Sequence, residues 1–336
     1  MKKKLIDTIL MQKKSAAHLA EVSAFAPANI ALCKYWGKRN VALHLPVNNS
    51  LSISLSHLGT TTKLAIHDDL IDKIVVNNQV MGKSSFFSQR LIAFLNMFRD
   101  KETHFLVETS SNLPIAAGLA SSASGFAALT LCLNQLYRWD LSKKELSILA
   151  RLGSGSAARS LWHGFVKWHA GDLNNGTDSY AEKLNIIWEE LCIGILVLDK
   201  KRKKISSSDA MAATLAQSNL YRSTWRNKAN ADCLSVEKAI REKNIALLGS
   251  ITQRNSIYMH QTMRDCSPPI TYNTLATDQA IDKILSLQEI HNIYFTQDAG
   301  PNIFLLFLKK DISIVLKYFP SAIIVFPFKK SRRVYV

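Results

Sequence analysis

Hydrophobic and polar residues alternate over much of the first part of the chain, which predicts a β-rich beginning. Strands are predicted over residues 50–55, 60–66 and 104–108 and, as a hairpin around Asn77-Asn78, over 74–81. One helix interrupts them, because apolar residues recur at helical spacing from Phe86 to Phe98. The last of these strands leads into a glycine- and serine-rich turn and then an Ala/Leu-rich helix that ends near Tyr137.

The remainder of the chain mixes helices with short apolar strands. Ser142-Lys143-Lys144-Glu145 has the spacing of a capping box and opens a helix that should end at Gly153. A second helical pattern runs from the basic loop at Lys200 to Met263, and Pro268-Pro269 then stops it. Further strands are predicted over residues 165–169, 193–198, 293–296 and 303–308. This mixture predicts an α+β fold.

The length of 336 residues allows two domains, each with its own core. We expect an N-terminal domain over residues 21–190 and a C-terminal domain over residues 191–336. Residues 1–20 begin with three lysines and continue into a short amphipathic stretch that Asp7 interrupts, which makes a poor signal-peptide core. We therefore predict that they are a frayed N-terminal extension and that the fold begins near Glu21.

Composition narrows the class of protein. Hydrophobic residues make up 47% of the chain and charged residues 20%, as in soluble globular proteins, and no apolar run reaches the ~18–20 residues that span a bilayer. The five cysteines lack C-x-x-C spacing and the nine histidines lack an H-E-x-x-H motif. These features predict a reduced, cytoplasmic protein without a structural metal.

The formal charge of +16 is the outlying compositional value. It is compatible with three kinds of partner, namely nucleic acid, an anionic membrane surface and polyanionic small molecules. The basic runs at residues 2–4, 200–204 and 329–333 are scattered and lack interleaved aromatic residues, which disfavours nucleic acid. Small anionic substrates are favoured, although each run by itself is better explained as solvated surface charge.

The stretch from Pro114 to Gly125 carries the strongest chemical signal. Its small residues run straight into a helical pattern, and the free N–H groups of a helix start can bind an anion. The hydroxyls of Ser121 and Ser122 could add donors or a magnesium ligand. The same residues could equally form a tightly packed helix start, so the string alone leaves both interpretations open.

A second small-residue turn follows at Gly153-Ser154-Gly155-Ser156-Ala157-Ala158-Arg159-Ser160. Two anion-binding turns suit a protein that holds two phosphorylated groups at once, as a small-molecule kinase does. A guanidinium such as that of Arg159 can bind a carboxylate or phosphate through two hydrogen bonds, and Lys34 and Lys38 add point charges.

Several segments, taken together and in order, carry a resemblance to a known family. The opening segments are Ala26–Arg39 (APANIALCKYWGKR) and Leu45–Ser52 (LPVNNSLS), and the later ones are 116–122, 153–161, 259–263, Pro268-Pro269 and 298–302 (DAGPN). In these segments the chain resembles the diphosphomevalonate decarboxylase family of the GHMP kinase superfamily over residues 21 to 330. Arg254-Asn255 departs from the pattern, in which an acidic residue usually precedes the asparagine.

The resemblance implies a fold and an activity. The fold would be a two-domain GHMP kinase-like one, with an N-terminal βα domain containing a left-handed crossover and a C-terminal ferredoxin-like α/β sandwich. The activity would be ATP-dependent decarboxylation of (R)-5-diphosphomevalonate to isopentenyl diphosphate, with ATP and Mg²⁺ bound, in a cytoplasmic homodimer. A 3-kinase of mevalonate or a phosphomevalonate decarboxylase shares much of this scaffold and is the alternative.

The resemblance also implies three catalytic residues. Asp298 would orient or deprotonate the 3-hydroxyl, Arg159 would hold the substrate carboxylate, and Lys34 would add charge beside it. Taken alone, an aspartate before Ala-Gly-Pro is more typical of a turn, and a lone arginine of a surface ion pair. His260 matches a family histidine, for which a structural role is expected.

The matching segments imply binding residues as well. The substrate is expected to contact Tyr35, Trp36, Gly37, Lys38, Arg90, Ser154, Gly155, Ser156, Ala157, Ala158, Arg159 and Ser208. The phosphates of ATP are expected at Gly118, Leu119, Ala120, Ser121 and Ser122, of which Ser121 and Ser122 would also bind Mg²⁺. Without the resemblance, Tyr35 and Trp36 would be ordinary core aromatics.

Overall fold

The computed structural model describes residues 1–11, 18–113, 121–201 and 203–329, with Ser121 described by its backbone only. The strands are β1 (Glu21–Cys33), β2 (Lys38–Asn40), β3 (Leu45–Pro46), β4 (Ser50–His67), β5 (Lys73–Val76), β6 (Gln79–Val80), β7 (His104–Ser111), β8 (Phe165–Trp168), β9 (Ala181–Lys183), β10 (Leu191–Leu196), β11 (Tyr294–Gln297), β12 (Ile303–Leu308) and β13 (Ile323–Val325). The helices are α1 (Lys2–Leu10), α2 (Phe86–Leu95), α3 (Ser121–Leu136), α4 (Lys143–Gly153), α5 (Ser207–Gln217), α6 (Arg226–Arg241), α7 (Ile245–Arg264), α8 (Leu275–Gln288) and α9 (Ile312–Tyr318). The described helices include none that is long and apolar enough to cross a membrane.

The larger sheet is organised around β4, an 18-residue strand. One edge of β4 pairs with β1 along nearly its whole length, from Glu21↔Ala65 to Cys33↔Leu51. Its other edge is shared, because the first residues of β4 pair with β8 and its last residues pair with β7. The hairpin of β5 and β6 extends the sheet beyond β7, and β9 extends it beyond β8. Helices α3 and α4 contribute the apolar residues that cover one face.

The smaller sheet has the antiparallel order β11-β12-β10-β13. Counted along the chain, these are the second, third, first and fourth strands, which is the order of a ferredoxin-like β-α-β-β-α-β unit and confirms that prediction. Residues of α8 and α9 pack on one face. Residues of α6 and α7 pack on the other face and also against β1 and β4, so this helical layer joins the two sheets.

The prediction of a frayed extension before Glu21 is wrong for residues 2–10. These residues form α1, and Leu5, Ile6 and Leu10 are buried in the core with α3 and α4. The apolar residues fall on one helical face, while Asp7 is exposed on the other. The single charge therefore marks the solvent side of a helix and does not interrupt its packing.

Two local predictions are confirmed in detail. The hairpin turn consists of Asn77 and Asn78, which have φ angles of 47° and 65°, as the tight turns between strands require. Ser142 caps α4 by accepting a hydrogen bond from the Glu145 backbone N–H, and the Glu145 side chain binds back to the cap. Helix α4 also ends at Gly153 as predicted, and the second small-residue turn follows it directly.

Candidate active site

Lys34 and Asp298 meet where the two sheets adjoin. Lys34 directly follows β1 and Asp298 directly follows β11, and the Lys34 Nζ donates to Asp298 Oδ1 at 2.6 Å and to the Ala31 carbonyl at 3.0 Å. The Lys34 side chain is 2% exposed and that of Asp298 is 40% exposed. Burial lowers the pKa of Lys34, and the Asp298 carboxylate partly opposes this effect. The pair presents one solvent-accessible carboxylate backed by a buried cation.

Arg159 lies beside this pair at the end of a 3₁₀ turn, Gly155–Arg159, and is buried. One terminal nitrogen donates to Ser50 Oγ at 2.6 Å and the other makes a long contact of 3.4 Å with Asn29 Oδ1. Within the described residues, its Nε has no partner and no carboxylate lies within ion-pair distance. Burial lowers the pKa of Arg159 to about 10, against the opposing effect of Asp298, so the group stays charged at neutral pH. A buried guanidinium with no carboxylate within ion-pair distance in the described residues is suited to an anionic ligand.

The two predicted anion-binding turns come together through serine hydroxyls. Ser122, in the first turn of α3, lies 3.4 Å from Ser154, and Ser154 lies 3.4 Å from Ser156. Ala157 and Ala158 are fully buried behind this row. The predicted ATP contacts Gly118, Leu119 and Ala120 lie outside the described residues, as does the side chain of Ser121.

In the segment from Tyr35 to Gly37, Trp36 and Gly37 are buried and Tyr35 is half-buried against the second turn. Tyr35 packs so closely on Gly155 that a Cβ there would lie 2.7 Å from the Tyr35 hydroxyl. Gly37 has a φ of 105°, and a Cβ on it would overlap the hydroxyl of Tyr221. That hydroxyl donates to the Trp36 carbonyl at 3.1 Å. In the described part of the chain, the Tyr35 hydroxyl and the Trp36 indole nitrogen have no hydrogen-bond partner.

Lys38, Arg90 and Ser208 form the basic side of the site. Lys38 Nζ donates to Ser208 Oγ at 2.8 Å, although the two residues lie 170 positions apart. Arg90 is exposed and donates to the Gly153 carbonyl at 3.2 Å, at the start of the second turn. Burial, followed by the charge of Arg90, lowers the pKa of Lys38. Two of the predicted substrate contacts, Lys38 and Ser208, are thus in direct contact, and the charge of Arg90 acts on Lys38.

A cavity of about 500 Å³ opens beside the first turn of α3. It lies between the sheet and helices α2 and α3, and Arg90 and Ser122 are polar groups in its wall. Its apolar lining residues are Met81, Phe86, Phe87, Leu91, Val107, Phe126 and Leu129. An apolar cleft of this size beside a helix start is suited to a nucleotide base and its phosphates.

Sequence reasoning missed Lys203, which the fold brings to Asp298. Lys203 Nζ donates to the Ala299 carbonyl and, at 3.1 Å, to Ser207 Oγ. Burial lowers the pKa of Lys203 and the Asp298 carboxylate opposes this effect. In the sequence, Lys203 cannot be distinguished from the other basic residues of the run at 200–204, which by itself indicates solvated surface charge.

His260 supports the backbone of the same loop. Its Nε2 lies 3.2 Å from the Asp298 carbonyl, and burial lowers the pKa of the imidazole to about 4. The ring is therefore neutral at neutral pH and can donate to that carbonyl.

Two family models match the chain. The model of the diphosphomevalonate decarboxylase-like N-terminal domain matches residues 26–181, and that of the mevalonate 5-diphosphate decarboxylase C-terminal domain matches residues 193–334. Among similar proteins, the diphosphomevalonate decarboxylase of Aspergillus fumigatus is 35% identical over 314 residues, covering 86% of this chain and 77% of its own length. That of Danio rerio is 33% identical, covering 93% and 83%.

Solved structures of similar proteins have the same fold as this chain. The mevalonate diphosphate decarboxylase of Staphylococcus aureus superposes with a TM-score of 0.85 at 32% identity, covering 91% of this chain and 95% of its own. A structure of MDDEF in complex with MVAPP, AMPPCP and magnesium superposes with a TM-score of 0.85 at 34% identity, covering 92% and 98%. The fold is therefore the two-domain GHMP kinase-like one, and the chain belongs to the diphosphomevalonate decarboxylase family.

Proposed function

We propose that this chain catalyses the ATP-dependent decarboxylation of (R)-5-diphosphomevalonate to isopentenyl diphosphate, releasing ADP, phosphate and carbon dioxide. The observation that carries the proposal is the buried Arg159, which has no carboxylate within ion-pair distance in the described residues and lies beside the Lys34–Asp298 pair. This arrangement offers a site for a carboxylate next to a group that can act on a hydroxyl. Family membership supports the decarboxylase over the related 3-kinase and phosphomevalonate decarboxylase.

The reaction needs two steps that share one site. A saturated 3-hydroxy acid does not lose carbon dioxide readily, because hydroxide is a poor leaving group. Transfer of the γ-phosphoryl group of ATP to the 3-hydroxyl oxygen makes that oxygen leave as phosphate. The electron pair of the bond between C2 and the carboxylate then forms the new C2–C3 double bond, and carbon dioxide departs.

The proposed acceptor geometry follows from the contacts of the site. The substrate carboxylate would take the free donor of Arg159, and the diphosphate would bind Lys38, Arg90 and Ser208. The 3-hydroxyl would then lie by Asp298, whose carboxylate can accept its hydrogen bond or its proton. Lys34 keeps that carboxylate oriented through the 2.6 Å contact.

The remaining predicted substrate contacts, Tyr35 to Gly37 and Ser154 to Ala158, are proposed to shape the acceptor side of the site. The Tyr35 side chain packs closely on the backbone of Gly155, and the serine row of Ser122, Ser154 and Ser156 runs towards the nucleotide side. Buried residues such as Ala157 can contribute backbone groups and shape, but not side-chain hydrogen bonds.

ATP is proposed to bind with its base in the 500 Å³ cavity and its phosphates at residues 118–122. Mg²⁺ would arrive with the phosphates, because no cluster of three histidine, cysteine or acidic side chains in the described residues could hold it independently. The hydroxyl of Ser122, one of the two predicted serine ligands, fits a hard cation that keeps most of its ligands from phosphate and water. The bound Mg²⁺ would neutralise charge on the transferring phosphoryl group.

We also propose how the chain is divided into domains. The matched ranges 26–181 and 193–334 support a division into residues 21–190 and 191–336. A cytoplasmic homodimer also remains a proposal for this chain.

The test is release of carbon dioxide from diphosphomevalonate. Purified protein is incubated with ATP, Mg²⁺ and substrate labelled at the carboxyl carbon, and ADP and carbon dioxide are both measured. Equal amounts of the two products are expected. ADP without carbon dioxide would favour a kinase, and turnover of the monophosphate alone would favour the sister decarboxylase.

A further inference from the structure

The backbone of Lys34 is held by two buried asparagine side chains and not by a neighbouring strand. The pairing of β1 with β4 ends at Cys33, so the peptide groups of Lys34 lie outside the ladder. The Lys34 N–H donates to Asn255 Oδ1 at 2.9 Å, and the Lys34 carbonyl accepts from Asn48 Nδ2 at 2.9 Å. Both asparagines are fully buried.

Each asparagine is fixed in orientation by a partner that can only accept or only donate a hydrogen bond. Asn255 donates its Nδ2 to Asp232 Oδ2 at 2.9 Å, and an ionised carboxylate only accepts. Trp225 donates its Nε1–H to Asn48 Oδ1 at 3.1 Å, and an indole N–H only donates. Neither amide can therefore turn over without losing at least two hydrogen bonds, so each presents one defined atom to Lys34.

The outer partners belong to one helical unit. Trp225 closes a π-helical turn that leads into α6, and Asp232 lies on α6 itself. Asp232 is buried and is held by Lys228 Nζ at 3.2 Å and by Arg254 at 3.4 Å. Arg254 is the residue that departs from the family pattern, and here it supplies one of the cations that keep Asp232 in place. The layer joining the two sheets thus sets the position of Lys34.

We propose that Asn48 and Asn255 are positioning residues for Lys34, an inference that rests on the proposed function. They fix the peptide from which the lysine side chain reaches Asp298, and therefore fix the contact of Nζ with Oδ1. Displacements of about 1 Å at such a contact can cost on the order of 100-fold in rate. Neither asparagine needs to touch substrate for this effect.

The test separates kcat from KM in Asn255→Ala and Asn48→Ala. We expect kcat to fall by about 10- to 100-fold while KM for ATP and for diphosphomevalonate stays within about threefold. The matched control is Thr252→Val, on the same helix one turn earlier, because Thr252 is fully buried and its hydroxyl has no partner in the described structure. This control should keep the wild-type kcat.

A double-mutant cycle distinguishes positioning from general damage. In a Lys34→Ala background the asparagine substitutions should lower kcat by no more than about twofold, because they act through the missing side chain. An equal loss in both backgrounds would overturn the proposal. So would a wild-type kcat in folded Asn255→Ala.

If the alanine variants fail to fold, Trp225→Phe gives a second test, since it removes the donor to Asn48 and keeps an aromatic ring, although a smaller one, at this buried position. Its kcat should fall by about threefold or more at unchanged KM, and a wild-type value would count against the proposal. Failure of the proposed function has a different signature, because the wild-type protein itself would then release no carbon dioxide.

Discussion

The Lys34 Nζ and Asp298 Oδ1 atoms lie 2.6 Å apart although their residues are 264 positions apart in sequence. Each residue directly follows the last residue of a strand, one in each sheet. Their contact therefore reports on the docking of the two halves of the molecule. The chemistry of the site depends on that docking.

Asp298→Asn is expected to lower turnover by about 10²- to 10⁴-fold while ATP still binds. The amide keeps the size of the side chain but cannot take a proton and gives Lys34 a weaker partner. Steady-state carbon dioxide release and calorimetric titration with ATP measure the two effects. Asp282→Asn, an exposed position on α8, is the control. Turnover of Asp298→Asn at the wild-type rate would refute the assigned role.

Arg159→Met should abolish most activity without destabilising the free protein. The guanidinium is buried with no carboxylate within ion-pair distance in the described residues, so an apolar chain of similar length removes an energetic cost. We expect the free energy of unfolding to stay within about 1 kcal/mol or to rise, as read from urea denaturation.

The same substitution at another buried arginine, Arg151→Met, should have the opposite effect on the free energy of unfolding. Arg151 is also fully buried, but its guanidinium donates to the carbonyls of Leu43, Gly176 and Ser179. Removing it leaves those carbonyls unpaired, and a loss of about 3 kcal/mol or more is expected. Similar unfolding curves for the two variants would contradict this explanation.

Gly37→Ala should destabilise the fold and reduce activity together. The φ of 105° is unfavourable for alanine, and the new Cβ would overlap the Tyr221 hydroxyl. A loss of about 2–3 kcal/mol is expected, which Tyr221→Phe should relieve in part by removing the clashing oxygen. Gly82→Ala is the control, since no described atom lies within 4 Å of its added Cβ.

Stability should fall as the pH falls from about 6.5 to about 4. Burial lowers the pKa values of both His44 and His260 to about 4, whereas in the unfolded chain they are near the ordinary value. Over this interval the unfolded state binds protons that the folded state does not, so acid favours unfolding. Urea denaturation across the interval measures the slope.

His260→Gln should reduce that slope, because it removes one of the imidazoles whose pKa burial lowers, while His44 and His163 remain. The exposed His57→Gln should leave it unchanged. An identical slope in wild-type protein and His260→Gln would show that other titrating groups cause the loss of stability at low pH.

Strong local patterns were sufficient to predict several elements. The Asn77-Asn78 turn and the Ser142 cap depend on hydrogen bonds and backbone angles within a few residues, and both are present. Helix α1 was missed because Asp7 was interpreted as a break in an apolar segment and not as its solvent face. That distinction depends on the core formed by α3 and α4, which local sequence does not describe.

The candidate site likewise contains residues that the sequence could indicate and residues that it could not. The family segments indicated Lys34, Arg159 and Asp298, and the structure brings these residues together, while their roles stay predictions. The support for Lys34 could not be read from sequence, because Asn255 lies 221 positions from Lys34 and meets it only through packing of α7 against β1. Lys203 was missed for a similar reason, since its basic run resembles ordinary surface charge.

The shared edge of β4 has a consequence for synthesis of the chain. Its first residues pair with β8, which is made long after β4 itself, whereas its last residues pair with the nearer β7. Until β8 emerges from the ribosome, the segment around Ser50 and Ile53 presents an open strand edge with apolar side chains. Such edges are sites of intermolecular pairing, so a chain halted before residue 165 should be more prone to aggregate than one released after β9.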